Sequence, residues 1–209
     1  MDPPARSYHH GNLRAALLEA AAEEVQAAGA AQLSLRQLAR RAGVSHAAPA
    51  YHFGDKRGLF TALAAEGFRM LHQRTSRELD RDNALIETGR VYVEFALEHP
   101  AHFTVMFDAS LLDTGDARYQ HERGVAFEVL YEAIRRATRV RDDDELQAQV
   151  LAAWLAVHGI ATLWLSGNLP YERDPSLVAG ALAEIAPALA KIAQVGARQA
   201  RRLHVPAGT

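Results

Sequence analysis

The chain has 209 residues, a formal net charge of −2 and no cysteine. That length suits one globular unit or a small domain joined to a larger one. The missing thiols exclude disulfides, zinc–thiolate sites and cysteine nucleophiles.

Charge is unevenly placed. Residues 1–60 hold seven Lys/Arg against five Asp/Glu, the remainder sixteen against twenty, and histidines 9, 10, 46 and 52 add to the basic end. This is a weak pointer to a polyanionic partner. Recurrent Ala, Leu, Glu, Arg and Gln, with few runs of Val, Ile or Thr, favour helix throughout, so the fold class is all-α with about nine helices.

The first helix is expected from about Leu13 to Ala28, with Leu13, Leu17, Ala21, Val25 and Ala28 on one face and Gly29 at its end. Ser34 followed by Gln37 has capping-box spacing and opens a short helix that turns Leu35, Leu38, Ala39 and Ala42 inward and stops at Gly43. A third runs from Ser45 to near Phe53. With Ser45 as its cap, Pro49 is the fourth helical residue, and a tightened or distorted first turn is expected. A long helix from about Asp55 carries Leu59, Leu63, Phe68 and Leu71 toward an acidic stretch at 77–83. Further helices are expected near 83–99, 101–109, 117–139, 143–167 and 175–198. His99-Pro100 breaks the first of these, DTGD at 113–116 is turn chemistry, and SGNLPYERDP at 166–175 is a loop. Asp142, Asp143 and Asp144 suit a helix start, where negative charge meets the positive end of the dipole.

Glu19, Glu23 and Glu24 interrupt the first apolar stretch and argue against a secretory signal. The only membrane-like stretch, 150–165, is shorter than the roughly 20 residues a span requires and holds His158 in its middle. It reads as a buried or subunit-interface helix, in a cytoplasmic chain without a membrane partner.

The segment 34–53 has the layout of a helix-turn-helix, with Gly43 at the turn and Val44 filling the space between the two helices. Small or polar residues at its second helix start, Ser45, His46, Ala47 and Ala48, fit a tip that enters a DNA major groove, where bulk prevents close approach. Arg36, Arg40 and Arg41 read equally as a solvated helix face, and His52 as a buried histidine tying adjacent helices.

Together, the leucine-spaced first helix, SLRQLARRAGVS at 34–45, YHF at 51–53 and DK at 55–56 followed by GLF resemble the DNA-binding head of the TetR family of bacterial transcription regulators. YHHGNLR at 8–14 is similar to a leader found in one branch, and VHGIATLWLSGNLP at 157–170 to the tryptophan/His-Gly C-terminal subtype. The resemblance implies a DNA-binding domain at 8–71 and a helical effector-binding and dimerisation domain at 80–200. It implies phosphate contacts from Ser34 and Lys56, a guanine or phosphate contact from Arg36, and base contacts from His46, Ala47 and Ala48. Tyr51 and His52 would flank the backbone, and Arg6 on the leading arm would add a contact. Ala50 departs from the family's usual tyrosine and Pro49 from its usual spacing.

The resemblance also implies a homodimer on an inverted-repeat operator in double-stranded DNA, formed through the helices near 143–167 and 175–198. Leu151, Leu155, His158 and Thr162 make one candidate stripe; Leu182, Ile185, Leu189 and Ile192 make the other. Met70, Tyr92, Phe95, Phe103, Met106, Phe107, Phe127 and Tyr131, with His158, are candidates to line a cavity for a small hydrophobic effector, although such a set is also ordinary core. No metal-ligand spacing, phosphate-cradling glycine loop or nucleophile motif is present, so neither an enzyme nor a cofactor is expected. The function these features imply is a ligand-responsive repressor. The alternative is a helical ligand-binding or interaction protein whose head has lost specific DNA recognition.

Overall fold

A computed structural model describes residues 10–138 and 140–169, with helical backbone also at 180, 181, 183 and 184. Among the described residues the fold is all-α, with eight α-helices and no strand. They are α1 (His10–Ala28), α2 (Leu35–Arg41), α3 (Ala48–Phe53), α4 (Lys56–Thr75), α5 (Ala84–Glu98), α6 (Pro100–Met106), α7 (Ala117–Thr138) and α8 (Asp143–Leu165). Apart from positions 180, 181, 183 and 184, the expected helix over 175–198 lies outside the described residues, as do the stripe of Leu182, Ile185, Leu189 and Ile192 and the leading arm with Arg6.

The chain divides into two compact units, 1–68 with 99–121, and 69–98 with 122–209; of the three boundaries, two fall inside α4 and α7 and the third between α5 and α6. In the first unit α1 packs against α2 and α6, and α2 against α3. Leu17, Ala21 and Val25 of α1 are buried there with Leu38 and Ala39 of α2 and Leu59, Leu63 and Phe68 of α4. The apolar spacing of α1, α2 and α4 thus becomes a core, although Leu13, Leu35 and Ala42 are only half-buried and Ala28 is exposed. Helix α6 begins with Pro100 at its first turn, where the missing N–H leaves no bond unmade.

Helix α4 and α6 approach closely at Gly67, where a Cβ would stand 2.4 Å from Met106 Sδ. The 3-10 turn at Ala109–Leu111 is capped by Asp108, and Asp113 N–H donates to Thr61 Oγ1 at 2.9 Å, fastening this loop to α4. The DTGD turn forms as expected: Asp113 Oδ1 accepts from Gly115 N, and Asp116 Oδ1 from Tyr119 N in the first turn of α7.

In the second unit α5 runs along α8. Ile134, Leu146 and Val150 form a buried cluster, with Leu85, Leu130, Tyr131, Val140 and Ala153 against it. Asp142 caps α8, accepting from Glu145 N at 2.9 Å, so the aspartate run at 142–144 opens the helix as its charge requires. The helix reaches 23 residues and is, by length and composition alone, long and apolar enough to cross a membrane. Helix continues, as expected, through the polar residues that precede Val150, and a core helix passes the same test of length and composition.

Candidate nucleic-acid interface

The turn between α2 and α3 is built by local chemistry. Gly43 takes φ 66°, its N–H donates to Arg40 O, and Val44 N–H reaches back to Ala39 O at 3.0 Å. This pair of bonds is a Schellman motif, which satisfies the last carbonyls of α2 and redirects the chain sharply. Ser34 precedes α2 in extended geometry, and its hydroxyl makes no capping hydrogen bond. The capping box expected from Ser34 and Gln37 does not form.

Helix α3 begins later than the sequence spacing implies. Ala48 N–H donates to Ser45 O, a tight i to i+3 turn, and the first α-helical bond there runs from Tyr51 N to Ala47 O at 2.9 Å. Pro49 therefore occupies the first turn, where no donor is wanted, and its ring is buried. Ser45 is not the cap. The tightened entry resolves the proline conflict without losing an α-helical bond.

The outward surface of this motif is open. Arg36, Arg40, Ser45, His46, Ala47 and Ala50 are exposed, and Tyr51 is 86% exposed, its ring edge-on to His52. Ser34, Ala48 and His52 are half-buried. Arg41 is engaged instead with Glu23 of α1 at 2.6 Å. Lys56 is half-buried, its ammonium donating to Ala31 O at 2.9 Å and lying 5.6 Å from the Phe60 ring centre. It ties the α1–α2 connection to α4, so one of its three donors is already used.

Two further residues shape this head without any signal at short range in the sequence. Gly58 sits where an added Cβ would stand 2.0 Å from Phe53 O. Arg14 of α1 lies with its guanidinium 5.2 Å from the Phe53 ring centre. Burial first, and the Arg118 guanidinium second, hold Arg14 below its ordinary pKa, against the pull of Glu66.

The effector candidates fall into both units. Phe103, Met106 and Phe107 belong to the first, where Phe107 meets Phe103 and Phe68 edge to face at 5.1 and 5.6 Å. Met70, Tyr92, Phe95, Phe127, Tyr131 and His158 belong to the second. There Tyr92 OH and His158 Nδ1 share a 2.8 Å hydrogen bond, and Trp154 bridges the rings of His158 and Phe127 at 5.3 and 5.6 Å. Burial lowers the pKa of His158 and raises that of Tyr92. Thr88, one turn before Tyr92 on the same face of α5, is buried with its hydroxyl unpartnered. Phe95 is fully buried, whereas Met70 and Tyr131 are half-buried. On α8, Leu151, Leu155 and Leu163 are 53%, 57% and 47% exposed, and Thr162 beside them is exposed too. Among the described residues no group of three or more His, Asp or Glu is placed to hold a metal.

Two family models match the sequence. "Bacterial regulatory proteins, tetR family" covers residues 17–63, and "Tetracyclin repressor-like, C-terminal domain" covers 85–185. A search of curated proteins finds no match. Among solved structures, a protein of unknown function from Rhodococcus sp. RHA1 is 31% identical, with a TM-score of 0.75 over 89% of this chain and 100% of its own. PfmR, a TetR family transcriptional regulator from Thermus thermophilus, has 21% identity and a TM-score of 0.64 over 81% of this chain and 96% of its own. AibR, solved in complex with isovaleryl coenzyme A and operator DNA, has 19% identity and a TM-score of 0.62 over 81% and 95%.

Proposed function

This chain belongs to the tetR family of bacterial regulatory proteins, and on that premise we propose that it is a cytoplasmic homodimer that represses transcription from an inverted-repeat operator and is released by a small hydrophobic effector. The observation that carries the reading is the open tip of the helix-turn-helix, where His46, Ala47 and Tyr51 stand exposed on a turn locked by Gly43. Alanine methyls approach base edges without steric conflict, and a histidine donates or accepts there. Ser34, Arg36 and the remaining donors of Lys56 would serve the phosphates, with Ser45, Ala48 and His52 completing the set.

The exposed leucines of α8 support a subunit interface on that helix, since large apolar side chains at helical spacing gain stability when a second copy covers them. The buried, unpartnered Thr88 hydroxyl, one turn before Tyr92 on α5, supports an effector site in the second unit, where Tyr92 and His158 share a hydrogen bond. Operator DNA and an acyl-coenzyme A ligand bound to AibR show that this fold accommodates such a pair in another protein. Residues 157–170 we assign to the tryptophan/His-Gly subtype. Release by an effector requires that it favour one arrangement of the two heads over another; equal affinity for both would shift nothing.

The test is fluorescence anisotropy on the duplex upstream of the protein's own reading frame, against a scrambled duplex of equal length and over a range of salt. A preference of about 10³ or more for the upstream duplex is the expected result. Ala47→Glu should abolish it while sedimentation still shows the dimer, because a carboxylate at the tip meets phosphate and base acceptors. Wild-type affinity in Ala47→Glu would remove α3 as the reading helix. Weak binding to both duplexes alike, with no upstream preference, would favour a head without specific recognition.

A further inference from the structure

The DNA-reading helix has a short body and few anchors of its own. Helix α3 spans six residues, and Pro49 is its only buried side chain. A helix this short has no stability in isolation, so its orientation depends on what grips its two ends. The front end is held by the Schellman turn at Gly43 and by buried Pro49. At the back end stands Phe53, half-buried, followed by Gly54 at φ 77° and the turn into α4.

We propose that Arg14 is a positioning residue for the reading helix, clamping Phe53 onto α1 through its guanidinium. This rests on the reading of α3 as the DNA-contacting element. The guanidinium lies 5.2 Å from the Phe53 ring centre, within the range where cation and ring quadrupole attract. Both groups are half-buried, which strengthens the attraction relative to a solvated pair. Burial and the Arg118 guanidinium weigh against this charge, and Glu66 offsets them in part. Glu66 also lies 3.3 Å from Nε2 of His102 on α6, so this carboxylate is itself held from a second helix. An arginine suits this place because its flat, weakly hydrated cation loses less on burial beside a ring than a lysine ammonium does. Removing the clamp leaves α3 formed but sampling more orientations, and apparent affinity falls by the fraction of time the correct one is lost.

The experiment uses the full-length protein and the upstream duplex, with Arg14→Met, Arg14→Lys, Phe53→Leu and the Arg14→Met/Phe53→Leu pair. Arg14→Met should weaken DNA binding by about fivefold to tenfold. Its salt dependence should keep the wild-type slope, since no phosphate contact is lost. Hydrogen exchange at the amides of 50–54 should quicken in Arg14→Met and recover partly in Arg14→Lys. In the Phe53→Leu background, Arg14→Met should add nothing. A slope reduced by about one would make Arg14 a direct phosphate contact and overturn the clamp. Unchanged exchange at 50–54 would overturn it as well. If the wild-type protein bound no duplex, the DNA reading would fall, while the exchange measurement would still decide whether Arg14 holds α3.

Discussion

Gly58→Ala tests the close approach between α3 and α4. A Cβ at Gly58 would stand 2.0 Å from Phe53 O and 3.2 Å from its carbonyl carbon, where contacts under 3.0 Å require something to shift. The atom in the way is backbone, and it already accepts from Asp55 N at 3.0 Å, so no flexible side chain can yield. Relief needs about 1 Å of main-chain movement at the end of α3, and overpacking of this kind costs about 1–3 kcal/mol. Alanine's better helix propensity offsets about 1 kcal/mol of that, leaving a net loss of up to about 2 kcal/mol. For a chain of this size each kcal/mol moves the melting temperature by about 2–4 °C, so circular dichroism should show a fall of up to about 8 °C. Gly124→Ala is the matched control: it lies on the exposed face of α7 with nothing within 4 Å of its Cβ, and should gain up to about 1 kcal/mol. Anisotropy on the upstream duplex should weaken for Gly58→Ala alone. If Gly58→Ala melts at or above wild type, as the control does, the close approach does not constrain the head.

Acidification should expose the burial of His158. Its folded pKa lies below the ordinary value of 6.5 because burial disfavours the cation, so the unfolded chain takes up the proton first as pH falls. Stability from this group is therefore complete above about pH 6.5 and declines below it. Urea unfolding of His158→Gln across pH 5–7.5 should show a shallower decline than wild type, and parallel profiles would refute the assignment. Asp142→Ala removes the α8 cap and should lower stability by about 1 kcal/mol, read as a lower urea midpoint at unchanged slope; Asp142→Asn, which still accepts, should recover much of it.

What was legible in the sequence was what short-range chemistry decides. The apolar period of α1, α2 and α4 located the first core, because residues three and four apart must share a helix face wherever the helix goes. Gly43 marked the turn, since only a residue without a Cβ takes its positive φ at no cost. Asp142 marked the start of α8 and Pro100 the start of α6. Even the strain at Pro49 was visible, though its resolution was not: the chain tightens at Ser45–Ala48 so that proline falls in the first turn of α3.

Tertiary structure decided everything that joins residues far apart in the chain. Lys56 reads as a free phosphate ligand until Ala31 O is found 2.9 Å away. Gly58 reads as an ordinary glycine in a helix until Phe53 O fills the space of its missing Cβ. The aromatic candidates formed one set in sequence, yet α6 joins the first unit and carries Phe103, Met106 and Phe107 with it. Tyr92 and His158, 66 residues apart, become partners because α5 lies along α8. Arg14 and Phe53 likewise meet only when α1 and α3 are folded into one head. Helix period and turn chemistry act over a few bonds and are written locally; which side chain fills the gap beside another depends on how whole helices pack.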